Sequence, residues 1–265
     1  MKKFVSRLNH QRSFWSVALA CGLGLMAPAV LAQSATSGQP VKAAATPEPQ
    51  AVAPQSFGYA AGPIHNPAPL LGGGKAVREA LQKGGYIIYF RHGRTQLDQV
   101  GLETGNRAEG KINFARCDTQ RNLSDEGRAE LTAAGEAFRQ AAIPLDKTYA
   151  SPYCRTKETA ALLVAGAPSG VGAAAAAARG PRVQELPLLA GFPQTDGRSA
   201  QLEQLFSQRP APGKNTLIVA HGMTLRTLTG FAIGEGHALV LRPGDFKTIV
   251  ARIAPGEWAG VAGGR

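Results

Sequence analysis

Two histidines in this chain each follow an apolar run and precede a glycine. His92 comes after the run Tyr86–Phe90, with Arg91 directly before it, and His221 comes after the run Thr216–Ala220. An imidazole can act as a nucleophile or carry a proton, and arginine binds anions through a fixed fork of N–H donors. The combination therefore indicates chemistry on an anionic group.

A second arginine stands in a comparable place. Arg155 follows a third predicted strand, Lys147–Ala150, and lies in the first turn of a predicted helix with Ser151 as its cap and Pro152 at its first position. Free N–H groups and the helix dipole favour an anion at such a helix start. Two arginines and two histidines that converge on one point would form a cage for a phosphate group.

The elements that must position these residues alternate between strand and helix. The two apolar runs are typical of buried strands, Lys147–Ala150 is the third predicted strand, and a helix capped by Ser124 separates the first strand from the third. We therefore expect an α/β fold, a three-layer sandwich with a mostly parallel central sheet and helices on both faces. Ala238–Leu241 and Thr248–Ile253 predict a hairpin at the sheet edge. Ligands of such sheets bind beyond the carboxyl ends of the strands, so both histidines should share one cleft.

The first 32 of the 265 residues have the plan of a secretory signal peptide. A basic start precedes an apolar centre, and small residues lead to a cleavage site after Ala32. A retained membrane anchor and lipidation at Cys21 are the alternatives. Cleavage removes four basic and no acidic residues, which lowers the formal net charge from +11 to +7. The remaining surplus favours anionic partners.

Composition divides the remainder of the chain. Residues 33–71 are rich in Ala, Pro, Gln, Ser and Gly and show no helix or strand period, so we expect a disordered linker. Residues 72–265 form the predicted folded domain. Because 44% of all residues are hydrophobic and only 18% are charged, the chain is not disordered throughout.

Two cysteines follow the predicted signal peptide. In an oxidising compartment, Cys117 and Cys154 are candidates for a disulfide, with two buried thiols as the alternative.

The order of the motifs resembles that of the histidine phosphatase superfamily, in its phosphoglycerate-mutase-like branch. The resemblance spans about residues 84 to 229 and is carried by Arg91–Thr95, Asn122–Arg128, Ser151–Arg155, Glu158–Ala160 and His221–Gly222. It implies phosphoryl transfer through a phosphohistidine, without a metal or any other cofactor. Together with the signal peptide, it indicates a small exported member of that branch.

The resemblance also implies a role for each residue of the cage. His92 would be the nucleophile that takes the phosphoryl group. Arg91, Arg155 and His221 would bind the phosphate oxygens and offset the charge of the transition state.

The resemblance further requires an acid that protonates the leaving oxygen. Glu185 stands near the expected place and is the predicted acid, with Asp98 and Asp118 as alternatives. Asp98 occupies a position where mutase-like members usually have an asparagine.

Because the family places both Cys117 and Cys154 beside the cleft, a disulfide between them would lie next to the active site.

These observations predict an exported phosphatase, periplasmic or secreted, that hydrolyses phosphate monoesters. Its partner would be a small phosphorylated substrate such as an envelope sugar phosphate. A non-catalytic module that binds phosphate or anionic glycan, and less favourably a phosphomutase, are the alternatives. The basic residues are dispersed and no metal-ligand spacing occurs, so we expect neither nucleic acid nor a metal as a partner. We also expect no stable membrane insertion after signal cleavage.

Overall fold

The computed structural model describes residues 66–108, 110, 112–166, 183–191 and 197–263. The helices are α1 (Gly74–Lys83), α2 (Val100–Ala108), α3 (Asp125–Gln140), α4 (Cys154–Gly166), α5 (Arg198–Ser207), α6 (Gly222–Thr229) and α7 (Trp258–Gly263). The strands are β1 (Ile87–Arg91), β2 (Leu145–Ala150), β3 (Val183–Glu185), β4 (Asn215–Ala220), β5 (Ala238–Leu241) and β6 (Ala251–Ile253). The predicted signal peptide and most of the predicted linker lie outside the described residues.

The strands form a single sheet in the order β3-β2-β4-β1-β5-β6. Strands β3, β2, β4 and β1 run parallel, whereas β5 and β6 add an antiparallel hairpin at one edge. The sheet is therefore mostly parallel, and the hairpin lies where the sequence predicted it.

Helices cover both faces of the sheet, so the predicted three-layer α/β fold is confirmed. Alternate residues of β1 point to opposite faces: Ile88 and Phe90 pack against α1, α3, α4 and α7, while Ile87 and Tyr89 pack against α5 and α6. Because every one of these strand residues is buried, β1 has an almost continuous apolar sequence. Among the described residues, no helix has both the length and the hydropathy needed to cross a membrane.

The start of α3 follows from the local sequence, whereas the start of α4 does not. Ser124 caps α3, as predicted, by accepting a hydrogen bond from the N–H of Gly127 at 3.1 Å. The prediction for α4 was wrong at its start, because the helix begins at Cys154 rather than after Ser151. The Ser151 hydroxyl contacts the side chain of His221 at 2.8 Å and does not cap the helix.

Residues 66–71 already pack against the domain. The N–H groups of Leu70 and Leu71 donate to the carbonyls of Ile249 and Val250 at 3.0 and 2.8 Å. The side chain of Asn66 bonds to the backbone of Ala232 in both directions. Ordered contacts therefore begin six residues before Gly72.

Candidate active site

The sheet register brings the two motif histidines together. Strands β1 and β4 are parallel neighbours in which Arg91 lies opposite Ala220, so the next residue of each strand lies at the same edge. The N–H of His92 donates to the carbonyl of Ala220 at 3.0 Å. The rings of His92 and His221 lie 5.4 Å apart, centroid to centroid, and both histidines are buried. The shared cleft expected from the sequence is therefore present.

The surroundings of His92 determine its protonation state. Its Nδ1 lies 3.0 Å from the carbonyl oxygen of Gly93, which can only accept, so Nδ1 carries the proton. Burial, and then the positive charges of Arg155 and Arg91, hold the pKa of His92 well below its usual value of 6.5. The imidazole is therefore neutral near pH 7, with the lone pair on Nε2.

A glycine after His92 is required by packing rather than by its backbone angles. A Cβ atom on Gly93 would lie 2.6 Å from Cδ1 of Leu131, inside any normal contact distance. The N–H of Gly93 donates to the hydroxyl of Thr159 on α4 at 3.1 Å. The strand end is therefore fixed directly against α3 and α4.

His221 lies against the loop that precedes α4. Its Nε2 is 2.8 Å from the Ser151 hydroxyl, and its Nδ1 is 3.4 Å from Nη2 of Arg155. The ring of Tyr153 packs edge-on against the imidazole at 4.9 Å, and the Arg155 guanidinium carbon lies 4.4 Å from the centroid of the same tyrosine. These contacts hold His221 and Arg155 on one side of the cleft.

Two glutamates connect three arginines around the cleft. Glu103 accepts two hydrogen bonds from Arg155 at 3.0 and 3.1 Å and pairs with Arg121 at 3.5 Å. Glu235 pairs with Arg121 at 3.4 Å and with Arg91 at 3.2 Å. The five side chains thus form a continuous series, Arg91–Glu235–Arg121–Glu103–Arg155, which we call the arginine–glutamate chain.

Three members of the arginine–glutamate chain, Glu103, Arg121 and Glu235, were not predicted from the sequence. Arg121 directly precedes the Asn122–Arg128 motif, so its position next to a recognised motif was a usable signal. No motif marks Glu103 or Glu235. The only available signal was physical: converging buried arginines repel one another, and carboxylates between them offset that repulsion.

Two arginine donors at the cleft have no partner within the part of the chain that the structure describes. These are the Nε atoms of Arg91 and Arg155, both buried. Burial lowers the pKa of each guanidinium, and the nearby glutamate, Glu235 or Glu103, opposes that shift. Both groups stay cationic. Together with Arg121 at the same cleft, these two cationic side chains make the cleft suited to receiving an anion.

The cleft is a cavity of about 310 Å³. Its lining residues are Arg91, His92, Arg121, Tyr153, Arg155, Ala190, Gly191, His221, Gly222, Met223, Arg226, Ala232 and Ile233. The structure therefore brings together all four residues of the predicted cage.

The three candidate acids do not line this cavity. Glu185 shares a strand face with Val183, which packs toward α4, and it pairs there with Lys157 at 3.6 Å while half exposed. Asp98 is exposed on a 3₁₀ turn, and Asp118 pairs with Arg116 at the surface. The assignment of the acid therefore has no support from this geometry.

The structure contains the disulfide between Cys117 and Cys154, with a Cα–Cα distance of 5.6 Å. Cys154 directly precedes Arg155, and its N–H donates to the buried side chain of Gln120 at 2.9 Å. The disulfide thus connects the segment that carries Arg121 to the start of α4. In the described residues, no cluster of three or more His, Cys, Asp or Glu side chains could hold a metal ion.

Comparisons with known proteins agree with the resemblance drawn from the motifs. Residues 87–175 match the family model of the histidine phosphatase superfamily (branch 1), which confirms the resemblance over that segment. No curated protein gives a significant match.

Solved structures that are similar to this chain include three proteins at low sequence identity. The protein histidine phosphatase SixA complexed with tungstate has 14% identity and a TM-score of 0.44, with 64% of this chain and 97% of that chain covered. Phosphoglycerate mutase from Plasmodium falciparum has 16% identity and a TM-score of 0.36, covering 62% and 86%. Mycobacterial hydrolase 1 has 17% identity and a TM-score of 0.40, covering 62% and 94%.

Proposed function

We propose that this chain, which carries the histidine phosphatase superfamily (branch 1) pattern at residues 87–175, hydrolyses phosphate monoesters through a phosphohistidine on His92. One observation carries the proposal: the cavity places a neutral imidazole, that of His92, beside three arginines, Arg91, Arg121 and Arg155. A phosphate dianion is attracted to this positive lining, and its phosphorus is the electrophile that a neutral imidazole attacks.

In the first step, Nε2 of His92 donates its lone pair to phosphorus. The phosphorus–oxygen bond to the leaving group breaks, and the leaving oxygen takes a proton from solvent water and departs as an alcohol. Arg91, Arg121 and Arg155 surround the transferring group and offset the charge on its oxygens. The Nδ1–H of His92 keeps its hydrogen bond to Gly93, which stabilises the positive charge that develops on the ring.

In the second step, water attacks the phosphohistidine. A new phosphorus–oxygen bond forms, the nitrogen–phosphorus bond breaks, and its electron pair returns to Nε2 of His92. Inorganic phosphate leaves with the water oxygen and one of its hydrogens, and the other proton of that water returns to the solvent. The imidazole is then neutral again and ready for another cycle.

Export and independence of metals belong to the same proposal. The signal-peptide pattern in residues 1–32 supports export, and the disulfide Cys117–Cys154 is typical of proteins in oxidising compartments. The substrate would then be a small phosphate ester of the periplasm or the exterior, such as an envelope sugar phosphate.

The test is hydrolysis of p-nitrophenyl phosphate by purified protein after exhaustive chelation with EDTA. We expect turnover that EDTA leaves unchanged and that inorganic phosphate inhibits by competition. Binding of phosphate without turnover would establish a non-catalytic module instead. Activity that EDTA removes and a divalent ion restores would contradict the metal-independent mechanism.

A further inference from the structure

A second cavity lies at the edge of the sheet opposite the catalytic cavity. Three segments line it, residues 83–86, 209–213 and 242–243, and its volume is about 550 Å³. These segments come directly before β1, before β4 and after the antiparallel β5, which places all three at the same edge. Strand β1 separates the two cavities, because Tyr86 lies at its start and His92 at its end, about 20 Å apart.

The charged side chains that line the second cavity are all positive. They are Lys83, Arg209 and Arg242, and no carboxylate lines the cavity with them. All three are exposed, and within the part of the chain that the structure describes their side chains form no hydrogen bond or ion pair. Their charges are therefore available to an anionic ligand.

One carboxylate lies near the second cavity without lining it. The side chain of Asp245 accepts hydrogen bonds from the N–H groups of Lys247 and Thr248, both at 3.1 Å. These bonds and, to a smaller extent, the charge of Arg242 hold the pKa of Asp245 below its usual value. Asp245 therefore offsets part of the charge of Arg242, and the lining keeps a surplus of positive charge.

The walls of the second cavity are rigid. Three of its lining residues are prolines, whose φ angles are fixed. Gly84 lies so close to Gly213 that a Cβ on Gly84 would be 2.5 Å from the carbonyl carbon of Gly213. Beside this contact, the N–H of Gly85 donates to the carbonyl of Lys214 at 2.7 Å. A site that is formed before the ligand arrives loses little conformational entropy on binding.

The uncharged part of the lining indicates the kind of molecule that carries the anionic groups. Tyr86 packs partly against the apolar core and also lines the cavity, together with the three prolines. Their rings provide flat apolar surfaces against which sugar rings can pack. A membrane surface is flat and does not enter a concave site, and single-stranded nucleic acid stacks on several aromatic rings rather than on one. The lining therefore favours a sugar chain.

We propose that the second cavity binds an anionic oligosaccharide through Lys83, Arg209 and Arg242, with its sugar rings against Tyr86 and the prolines. The anionic groups are carboxylates, because the proposed phosphatase activity would remove phosphate esters and leaves carboxylates intact. Such a site holds the protein on an acidic glycan while the catalytic cavity, at the other edge of the sheet, stays open to its substrate.

Isothermal titration calorimetry with the purified protein tests this inference without using catalysis. The probe is a short oligogalacturonate, and its fully methyl-esterified form is the neutral control of the same length. We expect the acid to bind at least tenfold more tightly than the ester. Added sodium chloride should weaken the binding of the acid, because exposed charges are screened by salt. A single-stranded oligonucleotide of similar length should bind less tightly than the oligogalacturonate.

Substitutions then assign the binding to the second cavity. The double variant Arg209→Met/Arg242→Met should bind the oligogalacturonate about tenfold more weakly, the scale of two exposed ion pairs. The matched control is Lys75→Met/Arg252→Met, which removes two exposed basic residues outside the lining and should keep the wild-type affinity. Arg155→Ala should also keep it, because Arg155 lines the catalytic cavity instead. Thermal melting confirms that each variant is folded.

Four results would overturn the inference. Equal affinity for the acid and the ester, or no binding of either, would show that the cavity does not select an anionic glycan. Equal weakening in the control pair would assign the binding to the general positive charge of the surface. Loss of binding in Arg155→Ala would place the glycan in the catalytic cavity, and tighter binding of the oligonucleotide would identify nucleic acid as the ligand. Absence of phosphatase activity would contradict the proposed function alone, since none of these measurements depends on turnover.

Discussion

Two regions build the cavity in different ways. The strand-end region, residues 91–93, 151–155 and 221–222, supplies the histidines and two arginines from points that the sheet register fixes. The supporting segment, residues 97–121, supplies Glu103 and the cysteine that reaches across to α4. The first region presents most of the groups that face a ligand, whereas the second adds Arg121 to the cavity and holds Arg155 in place.

A comparison of the two regions shows how several positive charges are kept together in a buried site. Arg91, Arg121 and Arg155 would repel one another if they converged alone, and burial adds a desolvation penalty. Glu103 and Glu235 between them reduce both costs and fix the direction of each guanidinium. The strand-end arginines therefore depend for their orientation on Glu103 of the supporting segment and on Glu235, which lies outside both regions.

The largest effect should come from the nucleophile of the strand-end region. His92→Ala should abolish turnover of p-nitrophenyl phosphate, because no other group in the cavity holds a lone pair in its place. His237→Gln is the matched control, since His237 lies outside the cavity lining and should retain activity. Near-normal turnover in His92→Ala would contradict the mechanism.

Removal of a strand-end arginine should have the next largest effect. Arg155→Ala should lower kcat/KM by about a hundred- to a thousandfold, by analogy with the loss of one oxyanion donor. Because Arg155 helps to lower the pKa of His92, the same variant should also shift the acid limb of the pH profile upward. In the wild type that limb should lie below pH 6.5, since His92 stays neutral there and loses its lone pair only at lower pH.

Steady-state kinetics across pH 4–9 check both parts, with Arg139→Ala as the control for a lost surface arginine. An acid limb that stays in place when Arg155 is removed would show that this charge does not act on His92.

The supporting segment should have a smaller effect on the reaction. Glu103→Gln keeps the shape of the side chain but removes its charge, so Arg155 should lose its fixed orientation. We expect kcat to fall on the order of tenfold, the scale of one charge-assisted hydrogen bond, with partial recovery in Glu103→Asp. Glu136→Gln, exposed on α3, is the control. An unchanged kcat with a lower melting temperature would show that Glu103 is structural only.

The sequence indicated the strand-end region well and the supporting segment poorly, for physical reasons. β1 and β4 were readable because buried parallel strands have continuous apolar sequences, and each is followed at once by its histidine. Strand β3 was not predicted, because a strand of three residues with two exposed side chains shows no alternation of apolar and polar residues. Glu103 and Arg155 meet across 52 positions, a contact that no local pattern encodes.

Local sequence patterns also gave the wrong position for two side chains whose contacts are with residues distant in the sequence. Ser151 has the residue type of a helix cap, yet its hydroxyl binds His221 and α4 begins at Cys154. Glu185 stands near the place that the resemblance requires, yet the alternation of β3 points it toward Lys157. In both cases contacts with residues distant in the sequence decided where the side chain lies, and no local pattern encodes those contacts.

The smallest effect on turnover should come from the disulfide. Cys117→Ser leaves the strand-end region intact but frees the supporting segment from the start of α4. Loss of a crosslink across 37 residues should lower the free energy of unfolding by about 3–4 kcal/mol. Urea unfolding measures this, while kcat should fall less than in Glu103→Gln. A larger loss of kcat than in Glu103→Gln would show that the disulfide matters more to the reaction than the ion pair between Glu103 and Arg155.

The central claim is that Nε2 of His92 takes the phosphoryl group. The most direct measurement is to quench the enzyme in alkali during turnover, where phosphohistidine survives, and to map the adduct by peptide mass spectrometry and ³¹P NMR. We expect one phosphoryl group, on His92 and bonded to Nε2, because Nδ1 is occupied by its hydrogen bond to the carbonyl of Gly93. An adduct on another residue, or none while phosphate is being released, would contradict it.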